Sequence, residues 1–392
     1  MIALSKPLSY VAYLECSRCK KEYSVSTLNT YATCCERPLV AKYVDVHGFY
    51  KEDLLFRETS MWRYFEMLPV LERKNIVSLG EGMTPLLPLD NLAARFGFAD
   101  LIMKDESFNP TGSFKARGLS MAVSKAKELE VRRCIVPTAG NAGGALAAYC
   151  AKAEIPCTVV MPRHTPEIFK RECELYGAEL VLVDGLISDC AKKVALLKQH
   201  SEYFDVSTLK EPYRLEGKKT MGYEIAEQLN WELPDVILYP AGGGTGLIGI
   251  WKAFREMLMM GWIKGPLPKM IAVQAKNCAP VIEAFYNPVN WREKVVARPS
   301  IANGLAVPYP FAMDMMLDVL HDSGGTVFAV DEDEIMDGVK EMARIEGVMV
   351  APECAAVWKA LLHLRNKKLV DPAEKILILN TGSGYKYLEN FT

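Results

Sequence analysis

Nothing in this 392-residue chain concentrates charge of one sign. Its 46 lysines and arginines are matched by 48 aspartates and glutamates spread along the sequence, for a formal net charge of −2. Nucleic acid and anionic membranes therefore find no electrostatic footprint, and a small-molecule partner is the better expectation. An apolar run of spanning length is also missing. Residues 1–16, MIALSKPLSYVAYLEC, lack a basic start followed by a sustained apolar core and a cleavage site. Both absences point to a soluble, cytoplasmic protein. Paired cysteines are lacking too: there are 11, an odd number scattered through expected strands and helices. That usage suits reduced, buried thiols better than a disulfide framework. What is abundant is apolar side chains, 50% of the total, enough for full folding and, at this length, for two or three domains.

Three zones follow one another. Residues 1–46 hold Cys16, Cys19, Cys34 and Cys35 between short aromatic and Val-rich pieces. Residues 51–75 read as a polar, helical connector. From about residue 100, apolar runs alternate with helical patterns: 100–103 then 114–129, 134–137 then 142–152, 157–161 then 166–176, and 179–183 then 187–200. Further runs at 235–239, 269–273, 326–330 and 375–379 supply enough strands for two sheets. Strands alternating with helices predict doubly wound, largely parallel sheets, whose ligands sit outside the carboxyl ends of the strands.

Three Gly-rich turns occupy such positions. PAGGGTGLIG (240–249) follows DVILY and precedes a helical run. Backbone N–H groups gathered there, at a helix N-terminus, can hold a phosphate without any lysine. Gly244, Gly246 and Gly249 also satisfy G-x-G-x-x-G, but the next strand, MIAVQAK, offers no acidic residue for a dinucleotide, and no G-K-[ST] follows. A tight turn without a ligand remains the alternative. TAGNAGGALAA (138–148) presents Asn141 at a helix start, as an N-cap or as a ligand contact, and NTGSGYKY (380–387) presents the hydroxyls of Thr381 and Ser383. In NPTGSFKARG (109–118), Ser113 is the expected N-cap and Lys115 falls in the first helical turn. The positive end of the helix disfavours its ammonium form, and a neutral amine is what traps a carbonyl. Together these features suggest a phosphorylated aldehyde cofactor, pyridoxal phosphate.

The chain resembles the fold-type-II pyridoxal-phosphate enzymes, the group that includes tryptophan synthase β, cysteine synthase and threonine deaminase, and within it most resembles the threonine synthases. The shared pieces are EGMTPL (81–86), KDESFNPTGSFK (104–115), the Gly-Asn turn, PYRLEGKKT (212–220), the Gly-rich cradle, EGVMVAP (346–352) and TGSGYK (381–386). The resemblance implies an α/β fold with a large cofactor-binding domain (47–118 and 221–392), a smaller α/β domain (119–220) and a zinc-ribbon-like N-terminal segment (1–46). It makes Lys115 the Schiff-base lysine and proton carrier, and puts Phe114 against the cofactor. Asn141 would bond the ring hydroxyl, Gly242, Gly243, Gly244 and Thr245 the phosphate, and Thr381 the pyridine nitrogen. Ser113, Thr138, Ala139, Gly140 and Arg214 would contact substrate, Arg214 either as a cation near substrate phosphate or as one half of a surface salt bridge. The implied reaction converts O-phospho-L-homoserine and water to L-threonine and phosphate in a homodimer.

Several residues depart from that pattern. Ala116 stands where threonine synthases place Asp, a feature shared with serine and threonine ammonia-lyases. The turn at 138–142 reads Thr-Ala-Gly-Asn-Ala, and Ala351 and Glu353 replace residues of the usual E-P-A-S-A-A. An ammonia-lyase, a β-replacement enzyme such as cysteate synthase, and a non-catalytic regulatory paralogue are the alternatives. In the N-terminal segment CSRC (16–19) has metal-knuckle spacing, yet Cys34 and Cys35 are adjacent and no histidine lies among residues 1–46. Adjacent cysteines are poorly spaced to share one tetrahedral ion, so a metal-free segment is expected.

Overall fold

The computed structural model describes residues 8–391, so the first seven residues of the N-terminal segment lie outside the described residues. Among those described, no helix is long and apolar enough to cross a membrane. The chain divides into two compact units.

The first unit comprises the described residues up to Met83, Lys115–Thr220 and Met259–Trp262. It begins with a three-stranded antiparallel sheet in the order Glu22–Tyr23, Val11–Cys16, Leu39–Tyr43. A four-stranded parallel sheet follows in the order Glu179–Val183, Cys157–Pro162, Cys134–Pro137, Phe204–Asp205. Cys157–Pro162 is buried along its whole length, as expected of a strand covered on both faces. The Ile187–Leu197 helix covers one side through Cys190 and Val194 against Ile135 and Val160.

The connector differs from expectation. Residues 61–67 are neither polar nor α-helical; they form a 3₁₀ segment, Met61–Met67, in which Trp62, Tyr64 and Phe65 are buried. Aromatic side chains outweigh the charged ones on either side of them, because each removes a large apolar area from water. Trp62 Nε1 donates to Glu81 Oε1 at 2.8 Å, Tyr149 Oη donates to Glu81 Oε2 at 2.6 Å, and the Val77 N–H donates to Ser124 Oγ at 2.8 Å. These bonds tie residues 61–81 to the Lys115–Glu128 and Asn141–Ala153 helices, so 47–83 belongs to this unit rather than to the larger one.

The second unit comprises Thr84–Phe114, Met221–Leu258 and the residues from Ile263 onward. Its six-stranded sheet runs Thr326–Val330, Lys269–Ala275, Val236–Pro240, Lys375–Asn380, Asp100–Asp105, Leu86–Pro88, parallel except for the last, short edge strand. The Pro352–Asn366 helix lays Trp358 and Leu361 on a core that includes Leu101, Leu238, Ile271 and Ile376. Beneath the sheet edge lies a fully buried ion pair: Lys104 Nζ meets Glu224 Oε2 at 2.9 Å and also donates to the Thr84 carbonyl and Gln228 Oε1. With every donor of the ammonium used, the desolvation of both charges is offset.

Candidate active site

In the second unit the residues around Phe114 form a short ladder with the C-terminal turn. The Phe114 N–H donates to the Thr381 carbonyl at 3.1 Å, Ser113 pairs with Gly382, and the Ser383 N–H donates to the Gly112 carbonyl at 2.9 Å. Lys386 Nζ closes the ladder on the Thr111 carbonyl, 275 positions away in sequence, at 2.7 Å. Two distant segments, NPTGSF and TGSGYK, are thus held side by side. Ser113 is extended, and its hydroxyl, fully buried, has no hydrogen-bond partner among the described residues. It therefore does not cap the following helix, contrary to the sequence expectation: its backbone is extended and pairs with Gly382, and the helix begins two residues later, at Lys115.

The Gly-rich turn sits at the end of the Val236–Pro240 strand and opens the Thr245–Met259 helix. Phe114 reaches it edge-on through Tyr239, with ring centroids 6.4 Å apart. A Cβ at position 242 would lie 2.1 Å from the Gly304 carbonyl oxygen, and one at 244, where φ is +76°, would lie 2.1 Å from Met316 Sδ. Side chains are excluded at both positions, so this turn offers its backbone N–H groups and the hydroxyl of Thr245, a helix N-terminus suited to phosphate.

In the first unit the Lys115–Glu128 helix crosses the opening of the Tyr213–Gln228 helix with almost no separation. A Cβ at Gly217 would lie 2.2 Å from the Arg117 carbonyl oxygen, and one at Gly118 would lie 3.0 Å from that of Arg214. The crossing brings Lys115, Arg214 and Lys218 into one electrostatic neighbourhood. Arg214 is 1% exposed, which rules out the surface salt bridge. Its Nη1 donates to the Val206 carbonyl at 2.5 Å, while Nε and Nη2 have no partner among the described residues. Burial lowers the Arg214 pKa, opposed by Glu211 and Asp205. Burial, and then the charges of Arg214 and Lys115, hold Lys218 well below the usual lysine range. Glu211 Oε2 accepts the N–H groups of Tyr213 and Arg214 at 2.7 and 3.0 Å and so caps the helix. Burial raises that carboxyl to about 7, with Arg214 pulling in the opposite direction. Neither Lys218 nor Glu211 stood out in the sequence; the charge-rich run KEPYRLEGKK was the available signal.

The remaining predicted residues of this unit lie after the Cys134–Pro137 strand. Thr138 Oγ1 accepts the Gly140 N–H at 3.2 Å, closing the turn. Gly140 is the N-cap and Asn141 is the first residue of the Asn141–Ala153 helix, so Asn141 is not the N-cap. This helix packs along Lys115–Glu128.

Within the second unit, the side-chain-free turn and the hydroxyl-bearing C-terminal loop suit a phosphorylated ligand. The chain belongs to the family of pyridoxal-phosphate dependent enzymes, whose model matches residues 77–382. The residues present fit that cofactor: the turn at 242–245 can take its phosphate, and Thr381, 7% exposed, carries a neutral hydroxyl. Within the family, the chain is similar to the threonine synthase of Methanocaldococcus jannaschii, 34% identical over 374 residues, 95% of this chain and 92% of that one. The threonine synthase of Methanosarcina acetivorans is 33% identical over 374 residues, covering 94% and 91%. Among solved structures, maize serine racemase matches with a TM-score of 0.65 at 24% identity, covering 78% of this chain and 93% of that one. A fungal L-serine ammonia-lyase from Rhizomucor miehei matches at 0.63 and 20%, covering 79% and 98%. At those identities the two structures show the fold alone.

Proposed function

We propose that the chain converts O-phospho-L-homoserine and water to L-threonine and phosphate. The observation that carries this reading is the buried guanidinium of Arg214, whose Nε and Nη2 have no hydrogen-bond partner among the described residues. A dianionic phosphate supplies several acceptor oxygens to such a site, and a planar guanidinium binds it through two parallel bonds. A substrate amino acid without a phosphate would leave those donors unmet.

In this reading Lys115 would hold the cofactor through its aldehyde carbon and would carry protons at the substrate carbons. Phe114 packs against the ring, Asn141 bonds its hydroxyl, Thr381 faces its nitrogen, and Gly242, Gly243, Gly244 and Thr245 hold its phosphate. Pyridoxal phosphate supplies an electron sink that acidifies substrate Cα and then Cβ. Ser113, Thr138, Ala139 and Gly140 bind the substrate carboxylate, and Arg214 stabilises the phosphate as it leaves Cγ. The hydroxyl of Thr381 would offer the ring nitrogen a neutral partner in place of a carboxylate. Ala116 is fully buried at the start of its helix, so its small size suits a packed position. We further infer a cytoplasmic homodimer; its cysteines form no disulfide, in keeping with a reducing compartment.

The test is a side-by-side assay with phosphohomoserine, phosphoserine, threonine and serine, following phosphate release and 2-oxo acid formation. Threonine and phosphate from phosphohomoserine support the proposal. Formation of 2-oxobutyrate from threonine, with phosphohomoserine untouched, overturns it.

A further inference from the structure

The four cysteines of the N-terminal sheet, adjacent pair included, converge: the Sγ atoms of Cys16, Cys19, Cys34 and Cys35 all lie within 4.8 Å of one another. This differs from the sequence expectation that neighbouring cysteines could not share an ion, and local backbone explains it. The Val11–Cys16 strand ends at Cys16, whose carbonyl accepts the Lys20 N–H at 3.1 Å, and Lys20 adopts φ +65°. That turn folds Cys19 back beside Cys16. On the other side, Ala32 pairs with Arg37 through a 2.8 Å bond from the Ala32 N–H to the Arg37 carbonyl, and Glu36 adopts φ +49°. The tight loop so closed presents Cys34 and Cys35 to the same point.

The geometry points to a structural zinc site formed by Cys16, Cys19, Cys34 and Cys35. Four thiolates about 2.3 Å from a tetrahedral ion stand roughly 3.8 Å apart, so the observed spread closes onto zinc with shifts of an ångström or less. The donor set is all sulfur, which selects a thiophilic ion over calcium, magnesium or manganese, and a full set of four leaves no open position for catalysis. The site also meets a need. The apolar cluster of this segment is small, built on Leu14, Val25, Leu39 and Ala41, and segments of this size commonly depend on a metal or a partner surface for stability. Partner surface is provided by Tyr43, whose hydroxyl donates to Glu216 Oε2 at 2.7 Å and whose ring lies 3.9 Å from Lys219 Nζ. Glu216 and Lys219 share a helix with Arg214 and Lys218, so the metal clip lies next to the scaffold of the anion site without entering it.

The experiment is metal analysis of the full-length protein purified under reducing conditions without chelator, followed by exchange of the bound ion for cobalt(II). The expected result is about one zinc per chain, and after exchange the absorption of a tetrahedral cobalt–thiolate centre. Both signals should disappear in the Cys19→Ser/Cys34→Ser variant. Should that variant fail to fold, the cobalt spectrum of the unaltered protein still decides, since thiolate-to-metal bands arise only from sulfur ligands. Absence of metal with all four thiols titratable overturns the site. So does a Cys19–Cys34 disulfide in the purified protein, which the 3.3 Å between their sulfurs would allow, and so does iron in place of zinc or retention of zinc by the double variant.

Discussion

Replacing Arg214 by methionine separates catalytic from structural roles, because the two predict effects of opposite sign. Each charge-assisted bond from a buried guanidinium to phosphate contributes about 1.5–3 kcal/mol. Two nitrogens, Nε and Nη2, have no partner among the described residues, so their loss should cost about 3–6 kcal/mol, or roughly a hundred- to ten-thousand-fold in kcat/KM for phosphohomoserine. Charge grows on the phosphate as it leaves, so kcat should fall along with substrate affinity. Folding should suffer little. The protein loses one bond, to the Val206 carbonyl, and is relieved of an incompletely satisfied buried cation. Glu211, already titrating near 7, takes up a proton rather than remaining as an isolated buried charge. Thermal unfolding should therefore shift little or upward. The assay is steady-state kinetics on phosphohomoserine with inorganic phosphate as a competitor, alongside calorimetry. Unchanged kcat/KM, or an activity loss that simply tracks a lowered Tm, would refute the reasoning.

Other expectations follow from the same geometry. The carboxyl of Glu211 is raised from 4.5 to about 7 in the fold, so between those values the folded chain holds a proton that the unfolded chain has released. Stability should then decline by about 3 kcal/mol as pH rises through that window, and level off above it; denaturant titrations of Glu211→Gln should lack this component. Gly217→Ala places a Cβ 2.2 Å from the Arg117 carbonyl, so the helix crossing must open; a destabilisation of about 1–3 kcal/mol with weakened phosphate inhibition is expected. Borohydride treatment of the holoenzyme followed by peptide mapping should find the reduced cofactor on Lys115, and Lys115→Ala should abolish the modification. Label on Lys218 instead would reassign the covalent residue.

The strands were legible because a parallel sheet is buried on both faces, leaving unbroken apolar runs such as Val236–Pro240 and Cys157–Pro162. Leu86–Pro88 and Phe204–Asp205 escaped notice, being only 3 and 2 residues long. The Gly-rich turns were legible as turns, but the reason for each glycine was not. Gly217 and Gly118 serve a helix crossing, and no local pattern announces where two distant helices meet. Arg214 illustrates the larger gap. Its residue type suggested an anion, whereas its burial, its single bond to the Val206 carbonyl and the neighbouring Lys218 arise from tertiary packing. The cysteines show the converse: spacing along the chain argued against convergence, and two residues with positive φ, Lys20 and Glu36, bring them together.

The proposed chemistry breaks the bond between Cγ and oxygen and then adds water at Cβ, which fixes where each oxygen atom ends up. Turnover of phosphohomoserine in ¹⁸O-enriched water, read by mass spectrometry, tests this most directly. The account predicts threonine with one heavy oxygen in its hydroxyl and released phosphate with none. Heavy oxygen in the phosphate, or phosphate released with 2-oxobutyrate and no threonine, would contradict it.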